Sequence, residues 1–351
     1  MLEPSLYGIH KTNRKGNDLW GKNQFNSTFP ASLACYMRDK GIKAVYLKVN
    51  EQLQVVAEEI SIDELFNTTA PNEEITFSFE SKYQPYQKFA FDDIKGIDLV
   101  IKHGEEWCRP LEVKLTVVPD QTTYNEIEAN WGAELVIRPA STSYCALGIA
   151  ASCENELREI REIFEPVCYG IQHWDSKLEI SSIQGNLITV LDIFQRRFCQ
   201  KQQPFLMQPI WKTKGKSPLL ADDAFDIFVW SDFALCRTFI DRSTSPQTDV
   251  NRFMRSSARL AKVLYDLSST GKAHLEKIYS ALTYGLQSDK EFALSGKITR
   301  HYMNSPRRVH PILPPKILTE LILNGGEKKL SPERRFDQTI YYSTESLFNE
   351  L

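Results

Sequence analysis

The sequence predicts a mixed α/β protein. Over the first ~170 residues, short runs with the two-residue period of a strand alternate with runs of helical period, the pattern of one α/β domain. Apolar residues make up 42% of the chain and aromatics 11%, enough for a proper core, which excludes a disordered chain or a disulfide-stapled miniprotein. At 351 residues the chain has room for about two domains or one large elaborated one.

Taken in order, residues 1–28 are polar and Gly/Asn-rich and read as an arm. A helix is expected over 30–41, with Pro30 in its first turn and Gly41 at its end. Strands follow at 43–49 and 52–57, a short acidic helix at 62–66, and a strand at 75–80. A strand at 98–102, a turn at 103–106 and an apolar strand at 111–117 suggest a hairpin. Residues 123–131 read as helix, 134–138 as strand and 154–164 as helix, with Leu157, Ile160, Ile163 and Phe164 on one side. Residues 176–198 mix strand and helix signals, and Pro204, Pro209 and Pro218 bracket a basic loop. From 251 onward Met254, Ala258, Ala261, Leu264 and Tyr265 recur at helical spacing. The expected organisation is an arm at 1–28, a core at 29–200 and a mainly helical and loop region at 201–351.

No run approaches the roughly 18 apolar residues of a membrane helix, and the N-terminus has no apolar signal region. Seven scattered cysteines without a C-x-x-C pair, and six dispersed histidines, argue against a zinc site and fit free thiols in a reducing cytoplasm. The segment from Gly16 to Asn23 has the G-x4-G-K spacing of a phosphate loop. Asn23 stands where Ser or Thr would hold magnesium, and no buried strand precedes it. A flexible arm is the better reading.

A sharper constellation is Asp98 with Glu112 and Lys114. On a strand, Glu112 and Lys114 share one face while Leu111 and Val113 fill the other. Asp98 heads the preceding strand, and the turn between them could fold it back beside Glu112. Two carboxylates of this kind suit Mg²⁺, which takes one or two carboxylates plus water and substrate phosphate. A neighbouring lysine can orient or deprotonate the attacking water, the layout of metal-dependent phosphodiester hydrolysis. The acidic-x-Lys tripeptide occurs five times in the chain, and only the Glu112 copy lies in an apolar strand preceded by an Asp-headed one. The alternative is an amphipathic strand with a solvated Glu/Lys face. Glu80 could add a third carboxylate, or be a strand-end surface charge.

The net charge, 42 − 45 = −3, argues against nucleic acid only as an average. Residues 51–80 carry eight acids and no Lys or Arg. Residues 195–217 carry six basic residues, among them Lys212, Lys214 and Lys216, and no acid; 292–319 carry five, among them Arg307 and Arg308, and no acid. Between them Arg252, Arg255 and Arg259 are spaced to put at least two guanidinium groups on one helical face. Such groups grip phosphates and read base edges, although a basic run can equally be a solvated face.

The block 20–37 (WGKNQFNSTFPASLACYM) resembles the N-terminal signature of the HindVP/HgiDI type II restriction endonucleases. Blocks 77–83 (FSFESKY), 98–102 (DLVIK) and 111–124 (LEVKLTVVPDQTTY) resemble the same family. The resemblance implies a PD-(D/E)xK restriction-endonuclease-like core, a mixed central sheet flanked by helices with C-terminal elaborations. It implies Mg²⁺-dependent cutting of double-stranded DNA at the palindrome GRCGYC, leaving 5′-phosphate ends, and a cognate DNA methyltransferase as a genetic partner. Carried over, Asp98 and Glu112 become metal ligands and Lys114 the water-orienting residue. The motif's proline is here Ile97, which leaves Asp92 and Asp93 as rival aspartates. A palindrome is most simply read by a two-fold homodimer. Candidate DNA contacts are Asn23, Gln24 and Asn26 in the arm, Gln121 after the catalytic strands, the Lys212–Lys216 loop, Arg252 and Arg255, and Arg307 and Arg308. The rivals are a repair or junction nuclease on the same core, and a DNA-binding protein without catalysis.

Overall fold

Val45, Leu47 and Val49 alternate with Ala44 and Tyr46, and every one of them is buried. A two-residue period with both faces covered belongs to an interior strand. The computed structural model, which describes residues 22–114, 116–119, 135–214, 219–243, 252–284, 292–294, 309 and 316, places this strand inside a mixed sheet. The elements are α1 (Lys22–Asp39), β1 (Ala44–Val49), β2 (Val55–Ile60), α2 (Ile62–Phe66), β3 (Ile75–Ser81), β4 (Ile97–His103), β5 (Glu106–Val113), β6 (Thr116–Pro119) and β7 (Leu135–Ile137). There follow α3 (Pro139–Ser152), α4 (Leu157–Cys168), α5 (Lys177–Phe198), β8 (Pro204–Thr213), β9 (Leu220–Ser231), α6 (Asp232–Ser243), α7 (Arg252–Thr270), α8 (Leu275–Ala281) and β10 (Phe292–Leu294).

The main sheet runs β2-β1-β9-β8-β5-β4-β3, with β6 also paired to β8. Its β1/β9, β5/β8 and β6/β8 pairs are parallel and the others antiparallel. One face carries Ala44, Tyr46, Ile227 and Val229 into a core shared with α1 and α2. The other carries Val45, Leu47, Phe228 and Trp230 into a larger core shared with α3 to α8. The chain is therefore a sheet flanked by helices on both faces, the mixed α/β class expected. Among the described residues no helix is long and apolar enough to cross a membrane.

Several boundaries differ from the sequence reading. The first helix begins at Lys22, inside the expected arm, and Pro30 lies within it; there the proline cannot donate a helical bond to the carbonyl four residues back. The second strand starts at Val55, because Gln52 and Leu53 form the turn and Leu53 has φ 61°. The helix expected at 154–164 is a single 3-10 turn, Glu154–Glu156, followed by α4. Residues 176–198 resolve into one helix, started by Ser176, whose side chain accepts the Glu179 N–H. The helix expected at 123–131 lies outside the described residues.

The break expected near residue 200 falls inside the sheet: β8 and β9, at its centre, both come after it. The expected basic loop at 204–218 is for most of its length the strand β8, despite Pro204 and Pro209. Pro204 is the first residue of that strand, where a missing N–H is tolerated. Lys114 donates its N–H to Met207, and in a parallel ladder residue 209 would donate next to the Lys114 carbonyl. Pro209 cannot, and at that point β5 ends and β6 begins. Val309 also returns to the sheet, its N–H donating to Phe225.

Candidate active site

β4 and β5 pair antiparallel with Leu99 opposite Leu111, so the next position along the ladder sets Asp98 beside Glu112. Leu99 and Leu111 enter the α1/α2 core. Strand alternation therefore turns Asp98 and Glu112 to the other face, toward the α3–α8 layer. Lys114 follows on that face just past the end of β5. Its ammonium lies 2.7 Å from Asp98 Oδ2 and 2.7 Å from Glu112 Oε2. The same Asp98 oxygen accepts the Val113 N–H at 2.9 Å. The side chains of Lys114 and Asp98 keep 21% and 23% of their exposure and Glu112 only 7%.

The two carboxylates differ in environment. Burial pushes Glu112 up, the nearby Asp98 charge adds to that, and its pKa rises to about 7. Burial also acts on Asp98, but the Lys114 ammonium and the Val113 N–H outweigh it and hold its carboxyl below the ordinary range. Lys114, although desolvated, is raised by its two carboxylate partners and stays protonated. One ammonium thus faces one buried and one half-buried carboxylate, an arrangement one positive charge short of neutral when both acids are ionised.

Glu80 sits between the pairs Phe79–Leu99 and Ser81–Ile97 on β3, hence across from Asp98. Its backbone is left-handed, φ 48°. Among the described residues no group of three or more His, Cys, Asp or Glu side chains gathers at one point, so the third carboxylate does not join the other two. Of the rival aspartates, Asp93 pairs with Lys82 at 2.7 Å and Asp92 accepts the Glu276 N–H at 3.2 Å. Ile97, in place of the motif's proline, is fully buried in the larger core.

Neighbours on the helical side were not foreseen. The Tyr144 hydroxyl, from α3, donates to the Lys95 carbonyl three residues before Asp98. The Lys95 ammonium lies 5.2 Å from the centre of the Tyr279 ring and 3.1 Å from Glu276. The Tyr279 phenol bonds Ser143 and is pushed up to about 12, chiefly by burial. Glu112 is among the charges that reach both tyrosines.

The expected DNA contacts fare differently. Asn23, Gln24 and Asn26 lie on α1, Lys212 on β8 and Arg252 at the start of α7. Gln121, Lys216, Arg307 and Arg308 lie outside the described residues. Lys214 is exposed, 3.3 Å from Asp222. Arg255 is a correction: it is 2% exposed, as is Arg259. α7 packs against α3, α4 and α6, and the spacing that aligns these arginines aligns them with Met254, Ala258 and Ala261 on the core-facing side.

A mixed sheet flanked by helices, with two acids and a lysine meeting on neighbouring strands, is compatible with a restriction-endonuclease-like fold. Residues 20–348 match the family described as HindVP restriction endonuclease, and the chain belongs to that family. It is 37% identical to the type II restriction enzyme HgiDI of Herpetosiphon aurantiacus over 354 aligned residues, covering 99% of this chain and 98% of that one. It is 35% identical to the probable type II restriction enzyme HindVP of Haemophilus influenzae over 348, covering 98% and 95%. No solved structure matches the chain significantly.

Proposed function

We propose that this chain is a Mg²⁺-dependent type II restriction endonuclease that cuts both strands of duplex DNA at a short palindrome, GRCGYC, leaving 5′-phosphate ends. The observation that carries the reading is the meeting of Asp98, Glu112 and Lys114 within 2.7 Å contacts. Family membership adds the restriction class, and the sequence resemblance supplies the recognition site and the PD-(D/E)xK assignment.

The donor set fits the metal. Two hard carboxylates, one pushed up by burial and then by the other's charge, form a site that a divalent cation would neutralise, and Mg²⁺ needs only one or two of them. Asp98 and Glu112 would hold it. Bound there, Mg²⁺ supplies Lewis acidity toward the phosphate and a lowered pKa for a coordinated water. Lys114, kept protonated by its acidic neighbours, orients the attacking water as a hydrogen-bond donor. The water oxygen bonds to phosphorus and gives up a proton to solvent, the bond from phosphorus to the 3′ oxygen breaks, and the 3′ oxygen takes up a proton from solvent. Glu80 lies across the ladder from Asp98, and its carboxylate is not one of the two that would hold the metal.

The palindrome calls for a homodimer, each copy acting on one strand. Lys212 on β8, Lys214 just after it and the first turns of α1 are assigned to DNA, together with Lys216, Arg307 and Arg308. The enzyme works in the cytoplasm, with a cognate methyltransferase as its genetic and not its physical partner. The test is to incubate plasmid with protein and Mg²⁺ and sequence the ends. Discrete fragments with 5′-phosphates at GRCGYC are expected. A gel shift without cutting overturns catalysis, and cuts that follow DNA structure and ignore sequence indicate a repair nuclease.

A further inference from the structure

Helix α5 buries Ile180, Leu187, Leu191 and Phe194 against its neighbours, and its opposite face has an unusual order. Leu178 is 85% exposed and Ile193 50%, two of the five large hydrophobic side chains that stand exposed among the described residues. At 100° per residue the two lie about 60° apart on one side of the helix and about 22 Å apart along it. Between them Ser182, Gly185 and Thr189 share the same side and are exposed. Beyond them, Asp175 precedes the helix and Arg196 lies in its last turn, both exposed.

This order reads the same in both directions by character. Leu178 and Ile193 are equidistant from the point between Gly185 and Asn186, as are Ser182 and Thr189, and as are Asp175 and Arg196. Laid antiparallel on a copy of itself, the face sets leucine on isoleucine, hydroxyl residue on hydroxyl residue and acid on arginine. That is the self-complementarity a two-fold contact requires. At the crossing point the backbone is bare, with nothing within 4 Å of where a Gly185 Cβ would be, so a second helix can come close. Covering the face strands no hydroxyl donor: Ser182 Oγ donates to the Glu179 carbonyl at 2.7 Å and Thr189 Oγ1 to the Gly185 carbonyl at 2.9 Å.

We propose that α5 is the surface through which two copies of this chain associate, crossing antiparallel about a two-fold axis at Gly185 and Asn186, with Asp175 of each copy against Arg196 of the other. This rests on the homodimer reading above for its second copy and names the face that reading left open. The charge complementarity at both ends favours a second copy of this chain over an unrelated partner.

The test measures mass, without DNA, by sedimentation of the full chain across a concentration series, so it stands or falls apart from cleavage. A two-copy species is expected. Leu178→Glu, a change at an exposed position, should weaken association at least tenfold without altering thermal unfolding. Asp175→Arg should weaken it as well, and Asp175→Arg with Arg196→Asp should restore it to within about threefold. All seven native cysteines are buried, so introduced thiols report cleanly. Ser182→Cys and Thr189→Cys proteins, mixed and treated with a thiol oxidant such as diamide, should form a covalent heterodimer far faster than either forms a homodimer. A chain that stays monomeric at every concentration overturns the proposal. So does a dimer indifferent to Leu178→Glu and to the charge swap, whatever the protein does to DNA.

Discussion

Gly96 and Glu80 share a space too small for another carbon: a Cβ on Gly96 would stand 2.6 Å from the Glu80 carbonyl oxygen and 2.8 Å from its carbonyl carbon. The obstacle is backbone and cannot swing aside. Gly96 therefore holds β3 against the start of β4, two residues before Asp98. Gly96→Ala is expected to cost about 1–3 kcal/mol through overpacking and to lower cleavage at least tenfold by displacing the start of β4. Thermal unfolding and plasmid cleavage measure the two effects, and wild-type values for both would remove Gly96 from this role.

Glu80 carries a backbone penalty that glycine would not, since a left-handed non-glycine residue costs on the order of 1 kcal/mol. Glu80→Gly should leave stability within about 1 kcal/mol of wild type. If its carboxylate serves the neighbouring Asp98 and Glu112, the same change raises the Mg²⁺ concentration needed for half-maximal cutting. An unchanged metal requirement would return Glu80 to a structural role.

Removing Glu112 and removing Lys114 should both abolish cutting while DNA binding in Ca²⁺ survives, yet their stabilities should diverge. Lys114→Ala leaves two desolvated carboxylates without their shared ammonium, a loss of about 3–5 kcal/mol by the usual cost of breaking a buried pair. Glu112→Gln leaves the Asp98–Lys114 pair intact and relieves the repulsion that raises Glu112, so its stability should equal or exceed that of wild type. Cleavage assays and chemical denaturation of both variants decide the matter. Wild-type cutting by either one excludes the assignment.

Asp232 offers a pH signature away from the catalytic group. Burial pushes its carboxyl up to about 7, against opposing N–H bonds from Gln203 and Phe233. The folded state thus holds a proton that the unfolded chain releases near pH 4. A folded pKa above the unfolded one means that this group's contribution is most favourable below about pH 4 and declines as pH rises to about 7, by on the order of a few kcal/mol. Asp232→Asn should flatten that part of the stability curve. Urea midpoints from pH 4 to 8 for both proteins measure it, and parallel curves would count against the assignment.

Lys214 is exposed and Arg255 is buried. Replacing Lys212, Lys214 and Lys216 with alanine should weaken DNA binding. Its salt dependence should fall by about 0.9 in log–log slope for each phosphate that a lysine no longer neutralises. Arg255→Ala should instead lower the melting temperature, because the side chain is inside the α7 packing. A salt titration of binding, alongside thermal unfolding, separates the two behaviours.

The β4–β5 hairpin was legible because a strand of period two carries its chemistry openly: Leu111 and Val113 in one core, Glu112 and Lys114 on the opposite face. α3 was not. Ten consecutive residues, Ser141–Ala150, are buried, so the helix has no polar side from which a 3.6-residue period could be read. Tyr144 and Ser143 were lost with it. The arginines of α7 misled in a different way, since periodicity shows which residues share a face and not which face meets water. The centre of the sheet was hidden by Pro204 and Pro209, which mark loops in most contexts and here mark a strand start and a break in its ladder.

The position of β8 also governs when the protein becomes dangerous to its maker. Lys114 donates its backbone N–H to Met207, so the lysine proposed to orient the attacking water rests on a strand synthesised some ninety residues later, and β9 closes the sheet later still. A ribosome that has released Asp98, Glu112 and Lys114 has not yet released the strand that aligns them. Nascent chains and fragments stopped near residue 200 therefore carry the full set of reactive groups without the frame that makes them a nuclease.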